Sequence, residues 1–298
     1  MIWAVAGANG LVGSALVLRL AAEGHEVTRL QRGAHWDPAS GWADPGVLAG
    51  ADVLVNLAGA GIGDRRWNPE RKEVVRSSRV EGTAGLARAL AGLGPAPGGG
   101  PRTFLAVSAV GYYGADAGDR VLTEESPAGT DFLARLCTEW EAAAEPARQA
   151  GQRVVHPRLG LVLSATGGVL GRMLRPFRLG LGARLGSGRQ FMSWITREDA
   201  VSALIHLATD RSLEGAVNVT GPEPATNAEL TAELGRALRR PTKLAAPAGA
   251  LRLVLGREMA DETLLASQRV RPARLEAAGF GFRHPDLAGG LRAALADR

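Results

Sequence analysis

Three glycines, at positions 7, 10 and 13, stand between the uncharged apolar run Ile2 to Ala6 and the residues Leu11, Val12, Leu16, Leu18 and Leu20. The apolar run reads as a strand buried on both faces. The residues after the glycines fit a helix that ends at Glu23-Gly24. Strand, glycine turn and helix together present a helix N-terminus to a pyrophosphate. In that arrangement Gly7 allows the tight turn, Gly10 lets the backbone approach the phosphates, and Gly13 lets the helix pack close to the strand. The spacing is G-x-x-G-x-x-G, which departs from the dinucleotide fingerprint G-x-G-x-x-G. A glycine-rich turn in an ordinary α/β protein is the alternative. A second strand, Glu26 to Leu30, ends at Gln31-Arg32, where NAD-binding units carry an acidic residue for the ribose 2′-hydroxyl. An arginine there suits a 2′-phosphate through charge-assisted, forked hydrogen bonds. NADP(H) is therefore preferred over NAD(H), the alternative being an exposed arginine at a strand end.

Groups able to move protons are few. Ser108, Tyr112 and Tyr113 follow a strand at Thr103 to Ser108. Cys137 is the sole cysteine, which excludes an intrachain disulfide and a cysteine-rich zinc site. It reads either as a thiol acid or redox sensor or as a small buried hydrophobe. His156 and His206 lie in strand and helix patterns that suit core or surface roles. No spacing of His, Asp or Glu suggests a metal.

The elements that must position these groups alternate as in an α/β fold. Further strands are expected at Asp52 to Leu57, Thr103 to Ser108, Arg153 to Leu159, Phe191 to Ile195 and Ala216 to Thr220. Ala58-Gly59-Ala60-Gly61 follows the first of these, small enough for a nucleotide to lie against the backbone. Helices are expected at 67–93, 131–149, 196–209 and 226–238, the last two opened by Thr196-Arg-Glu-Asp199 and Thr226-Asn-Ala-Glu229 as capping boxes. Residues 35–50 read as a loop, with or without a short helix, 115–130 as a loop, and the tail from Ala248 as a small helical appendage. The segment 160–190 is glycine-rich and carries Arg172, Arg175, Arg178, Arg184 and Arg189. It reads as a lid with arginines for an anionic substrate, or as a solvated loop. The expected fold is a doubly wound parallel Rossmann sheet with a smaller C-terminal substrate-side part. Residues 1–221 form the nucleotide-binding domain, with 160–190 contributing to the substrate side, and 222–298 form the small domain.

The chain resembles the extended short-chain dehydrogenase/reductases over almost its whole length. The carriers are G-A-N-G-L-V-G at 7–13, N-L-A-G at 56–59, S-R-V-E-G-T at 78–83, S-A-V-G-Y-Y-G at 108–114, P-R-L-G at 157–160 and N-V-T-G-P-E-P at 218–224. Three further segments resemble the atypical "epimerase family protein" subgroup, which has a C-terminal domain of unknown function. They are R-R-W-N at 65–68, M-L-R-P-F-R-L-G-L-G at 173–182 and L-L-A-S-Q-R-V-R-P-A-R-L at 264–275. The resemblance implies that Gly7, Asn9, Gly10, Leu11 and Val12 lie on the pyrophosphate and that Arg32 meets the adenosine phosphate. It implies that Leu57 and Ala58, next to Gly59, line the adenine-ribose side. It also implies that Arg79 approaches the cofactor, and Arg158 at the end of its strand is a further candidate. For Arg79 an intrahelical or interdomain salt bridge is the alternative.

Catalysis in that superfamily normally uses Tyr-x-x-x-Lys with a Ser or Thr. No Tyr-x-x-x-Lys occurs here. Aligned on Glu141, Leu133 stands at the tyrosine position and Cys137 at the lysine position. The serine position falls on Ala109 or Ser108. Ser108, Tyr112 and Tyr113, or a bound water, remain as replacement acid/base candidates, and Ser108 also as a cofactor contact. Tyr113 matches a tyrosine that is structural in the superfamily. Two functions are expected on this basis. One is an NADP(H)-dependent oxidoreductase or epimerase-like enzyme acting on an unknown small molecule with a non-standard acid/base. The other is a non-catalytic NADP(H)-binding sensor.

The formal net charge is +5, carried almost wholly by arginines, since Lys72 and Lys243 are the only lysines. The arginines are scattered and aromatics few, which argues against nucleic acid as a partner. No apolar run reaches membrane-spanning length and no leader pattern opens the chain, so the expectation is a cytoplasmic protein without a membrane partner. The resemblance implies a possible homodimer through the helices at 67–93 and 131–149.

Overall fold

The computed structural model describes residues 1–297. The main sheet contains β1 (Ile2–Ala6), β2 (Glu26–Leu30), β3 (Val53–Asn56), β4 (Thr103–Ala106), β5 (Arg153–Leu159) and β6 (Gly215–Val219). Their order across the sheet is β6-β5-β4-β3-β1-β2, and a seventh two-residue strand, Ser108–Ala109, pairs with β5. The pairings of β1 with β2 and β3, of β3 with β4 and of β4 with β5 are all parallel. Ala4 faces Thr28 on one side and Leu54 on the other, so strand order reverses at β1. Such a reversal opens a crevice at the carboxyl ends of the two central strands. Strands β3 and β4 are buried throughout, as expected of strands covered on both faces.

The chain packs as two units. The first contains Met1–Ser108, Leu136–Pro157 and Leu204–Val217; the second contains Ala109–Arg135, Arg158–Ala203 and the chain from Asn218 onward. By packing, the units are built of interleaved segments, because the chain leaves the sheet-bearing unit after 108, 157 and 217.

In the first unit α1 spans Leu11–Ala22 and α2 spans Pro69–Ala91. Asn68 caps α2 by accepting the Arg71 amide at 2.7 Å, and Pro69 fills the first turn, where no amide partner is needed. The expected loop at 35–50 contains a hairpin, Trp36–Asp37 with Trp42–Ala43, and a one-turn helix, Pro45–Ala49. Gly85 lets that hairpin lie on α2: a Cβ there would fall 2.4 Å from the Gly41 carbonyl oxygen. The expected helix at 131–149 is broken into Phe132–Ala142 and Glu145–Gln149. Pro146 is the cause, since it has no amide and its ring excludes a helical carbonyl at Ala142.

The second unit is built from short paired strands and helices. Leu161–Leu163 pairs with Trp194–Thr196, Ala183–Leu185 with Leu244–Ala246, and Phe191–Met192 with Ala225–Thr226. Ser267–Val270 pairs in parallel with Asp116–Leu122. Two expectations are corrected by that last pairing: residues 115–130 are not all loop, and the tail is not all helix. The segment 160–190 is also not a free loop. It contains a strand, the helix Gly168–Arg178 and the strand Ala183–Leu185. Leu170, Leu174 and Phe177 of that helix are buried in one core with Trp194, Leu234 and Leu291. The apolar stripe of this helix is committed to that core, so the segment is not a solvated loop.

Thr226 and Glu229 form the expected capping box, with both reciprocal hydrogen bonds present. The helix they open, Asn227–Leu238, ends at Arg239, which adopts φ +53° and ψ +44°. Among the described residues it is the one non-glycine residue at positive φ. This left-handed cap is a position that glycine fills without steric cost. Arg239→Gly is expected to stabilise the fold by up to about 1 kcal/mol, read as a raised unfolding midpoint.

Candidate functional site

The site in the first unit starts at the turn after β1. Gly7 has φ +78°, and a Cβ on it would lie 2.7 Å from the Leu57 carbonyl carbon and 2.8 Å from the Ala58 nitrogen. A Cβ on Gly13 would lie 2.1 Å from the Gly7 carbonyl oxygen. These two glycines therefore hold the turn, α1 and the end of β3 at backbone contact. Gly10 closes the turn through its amide to the Gly7 carbonyl at 2.9 Å and is the N-cap of α1. No side chain caps α1, so the amides of its first turn have no side-chain acceptor. A helix N-terminus in that state suits an anion. Asn9 and Gly10 are exposed and Leu11 half-buried, whereas the Val12 side chain belongs to the core. Any contact from Val12 to a phosphate must come from its backbone.

Beside the turn is a cavity of about 380 Å³ lined by Arg32, Trp36, Pro38, Ala58, Gly59 and Ser78, among others. Arg32 is exposed at the end of β2, and its backbone bridges to Trp36. Asp37 lies close by, its carboxyl held below the usual range mainly by the Ala39 amide, with Ser40 and the Arg32 charge adding to the effect. The loop that enters the cavity at Ala58 is anchored by Asn56. Its side chain donates to Thr83 Oγ1 at 2.9 Å and accepts the Ala58 amide at 3.1 Å, and Trp140 also donates to Thr83 Oγ1 at 2.9 Å.

Arg79 neither lines that cavity nor forms the salt bridge that was its alternative. It is buried in α2, and its Nη1 donates to the carbonyls of Ala60 at 2.9 Å and Val75 at 3.1 Å. Its guanidinium lies 5.2 Å from the centre of the Trp140 ring, and burial pushes its pKa down to about 10. A Cβ on Gly59 would meet the Arg79 guanidinium at 2.9 Å. Gly59 therefore makes room for Arg79, which holds the loop after β3 from behind. Sequence reasoning missed Trp36, Ser78 and the Asn56–Thr83–Trp140 network. Asn56 lay inside the N-L-A-G segment and Thr83 inside S-R-V-E-G-T, but Trp140 stands 57 residues beyond Thr83 and carries no local signal.

Among the acid/base candidates, Ser108 lies just past β4 and is buried, with its Oγ unpaired. Cys137 is buried. In the second unit Arg158 is buried and stacks on the Tyr112 ring, 3.4 Å from its centre. It also donates to the Tyr113 hydroxyl at 3.1 Å. Tyr113 in turn donates to Asn218 Oδ1 at 2.7 Å. Burial pushes the Tyr113 phenol up to about 12, so it keeps its proton throughout the neutral range. Both hydrogen-bonding directions of Tyr113 are thus engaged within the second unit. Leu133, at the position of the usual catalytic tyrosine, donates its amide to the Glu262 carboxylate at 2.9 Å. Glu262 is raised by burial, which outweighs the hydrogen bonds from Leu133 and Phe132. No group of His, Cys, Asp or Glu able to hold a metal occurs among the described residues. No helix among them is long and apolar enough to cross a membrane.

The model of the NAD dependent epimerase/dehydratase family matches residues 3–220, nearly three-quarters of the chain. The chain belongs to that family. A second match, to a domain of unknown function (DUF1731), covers residues 246–294. Similarity within the epimerase/dehydratase family extends to an epimerase family protein of Mycobacterium bovis, 50% identical over 288 residues, covering 94% of this chain and 93% of that protein. The human epimerase family protein SDR39U1 is 39% identical over 298 residues, covering 97% of each chain. The crystal structure of human SDR39U1 (isoform 2) with NADPH superposes at a TM-score of 0.88, with 36% identity and full coverage of both chains. A UDP-glucose 4-epimerase from Thermus thermophilus, in complex with NAD, superposes at 0.75 with 19% identity and shares the fold. The expected subgroup, with its C-terminal domain of unknown function, is the one found.

Proposed function

We propose that this member of the epimerase/dehydratase family binds NADP(H) in the cleft beside β1 and acts as an oxidoreductase or epimerase-like enzyme on a small molecule. The observation that carries the reading is the glycine cradle, in which Gly7 and Gly13 leave no room for a Cβ beside an α1 N-terminus without a side-chain cap. The residues fit the cofactor. The backbone at Gly7, Asn9, Gly10 and Leu11 would hold the pyrophosphate, and Leu57, Ala58 and Gly59 the adenosine side. Arg32 would hold the 2′-phosphate, and its position supports NADP(H) over NAD(H). The NADPH present in the human relative's structure supports the same assignment.

When bound, the cofactor supplies or accepts a hydride at its nicotinamide. The chain must donate the matching proton in reduction and accept it in oxidation. Ser108 is the best candidate, because it stands at the carboxyl end of β4, where sheets of this type bind ligands, with an unpaired buried hydroxyl. Leu133 and Cys137 in place of the tyrosine and lysine favour a second reading, a sensor that binds NADP(H) without turnover. A panel of ketones, aldehydes and nucleotide sugars, assayed by NADPH oxidation, separates the two. The enzyme reading expects turnover by wild type. It expects Ser108→Ala to lower kcat on the order of a hundredfold, with NADPH affinity changed only a few-fold. Saturating NADPH with no turnover across the panel supports the sensor instead.

A further inference from the structure

A different face of the molecule, in the second unit, carries charge that the proposed function does not use. No Asp or Glu occurs from Arg158 to Arg197, and none from Leu234 to Arg257. The fold brings these two acid-free stretches side by side. Ala183–Leu185 pairs in parallel with Leu244–Ala246, and a Cβ on Gly180 would lie 3.9 Å from Pro241. Arg175 and Arg178 lie on the solvent side of the helix whose other side is the buried Leu170, Leu174 and Phe177. Arg239, Arg240 and Lys243 are exposed on the neighbouring stretch. Among the described residues none of these five cations pairs with a carboxylate.

Large apolar side chains stand exposed among them. Leu179 is 69% exposed, Leu181 57% and Leu244 49%. A cavity of about 390 Å³ lined by Ala165, Gly171, Leu174, Arg175, Arg178 and Leu179 opens on the same face. The positive φ of Arg239 adds a separate observation: an arginine occupies a cap that glycine would fill with less strain.

We infer that this face docks on a bilayer surface bearing anionic phospholipid headgroups. Arg175, Arg178, Arg239, Arg240 and Lys243 meet the phosphates, and Leu179, Leu181 and Leu244 enter the headgroup–acyl boundary. Cations interleaved with exposed leucines suit a surface that is charged outside and apolar beneath. Nucleic acid would use the cations and leave the leucines without a role. The inference concerns surface attachment, which needs no spanning helix, and among the described residues no helix is long and apolar enough to cross a membrane.

The test is co-sedimentation of the full chain with vesicles of phosphatidylcholine containing about one-third phosphatidylglycerol, beside vesicles of phosphatidylcholine alone. The wild type is expected to sediment with the anionic vesicles only and to be released by salt. Arg175→Ala with Arg178→Ala is expected to weaken partitioning at least about tenfold. Leu179→Ser with Leu181→Ser should weaken it while leaving its salt dependence unchanged. Arg239→Gly should weaken it about fivefold while raising the melting temperature, so loss of binding there is not loss of fold. Equal or absent sedimentation of wild type with the two vesicle types overturns the inference, as do variants indistinguishable from wild type. Tighter binding to a DNA duplex or to an acidic polypeptide, unaffected by the leucine variants, also overturns it by replacing the bilayer with a polyanion.

Discussion

Gly13→Val is expected to abolish nucleotide binding and to lower the unfolding midpoint by on the order of 10 °C or leave the chain insoluble. The new Cβ would sit 2.1 Å from the Gly7 carbonyl oxygen, 2.9 Å from the Gly7 carbonyl carbon and 3.1 Å from the Ala8 Cα. All three are backbone atoms of the turn, so no side chain can swing aside. Relief requires α1 to move off the sheet, which breaks packing at the buried Leu16, Val17 and Leu20. Overpacking of this kind costs about 3 kcal/mol or more. Gly10→Ala is the matched control. Its Cβ would meet only the Gly7 carbonyl oxygen, at 3.2 Å. The fold should survive with a loss of about 1 kcal/mol or less, while NADPH affinity falls because a methyl group now stands over the α1 N-terminus. Thermal melts of both variants, with and without NADPH, check the pair. Equal stability of Gly13→Val and wild type would remove the cradle from the account.

Arg153→Leu is expected to destabilise the fold by about 3–5 kcal/mol without touching the cleft. Arg153 belongs to β5 and is buried. One of its terminal nitrogens donates to the carbonyls of Leu207, Asp210 and Leu213 at 2.7, 2.6 and 2.6 Å, and the other to Thr103 Oγ1 at 3.1 Å. Leu207 lies in the last turn of the helix ending at Thr209, where carbonyls have no partner within the helix. The guanidinium satisfies that helix end and complements its dipole. Leucine would fill the space but leave several buried acceptors unpaired, each costing about 1–3 kcal/mol. Arg153→Lys should recover part of the loss, because an ammonium donates but cannot fork. Denaturant titration of the three proteins, with unchanged slope, gives the comparison.

These cases mark what the sequence could reveal. The cradle was readable because its meaning is local: a buried strand, three glycines and a helix lie within about twenty consecutive residues. Arg32 was readable for the same reason, standing at the end of the next strand. The capping box at Thr226 and Glu229 was readable from its spacing. The remainder depends on partners far along the chain. Asp116–Leu122 has only a weakly alternating pattern and becomes a strand by pairing with Ser267–Val270, roughly 150 residues away. Gly59 read as room for a nucleotide and also makes room for Arg79, whose position follows from the packing of α2. The segment 160–190 read as a lid because its glycines were conspicuous. Leu170, Leu174 and Phe177 were the better guide, since they repeat at helical spacing and lie in the core. The broken helix at Pro146 could have been anticipated from the proline alone.

The central claim is that the cleft beside β1 takes NADP(H) and that Arg32 selects it. Titration of the purified chain with NADPH, NADP⁺ and NADH, read by nicotinamide fluorescence for wild type and Arg32→Ala, tests it most directly. The account predicts tight binding of NADPH by wild type and weak binding of NADH. In Arg32→Ala the affinity for NADPH should fall on the order of tenfold to a hundredfold, with NADH affinity nearly unchanged, as expected for losing one charge-assisted fork to a phosphate. Equal affinity of the wild type for NADH and NADPH would contradict the role of Arg32. Failure to bind any of the three nucleotides would contradict the account as a whole.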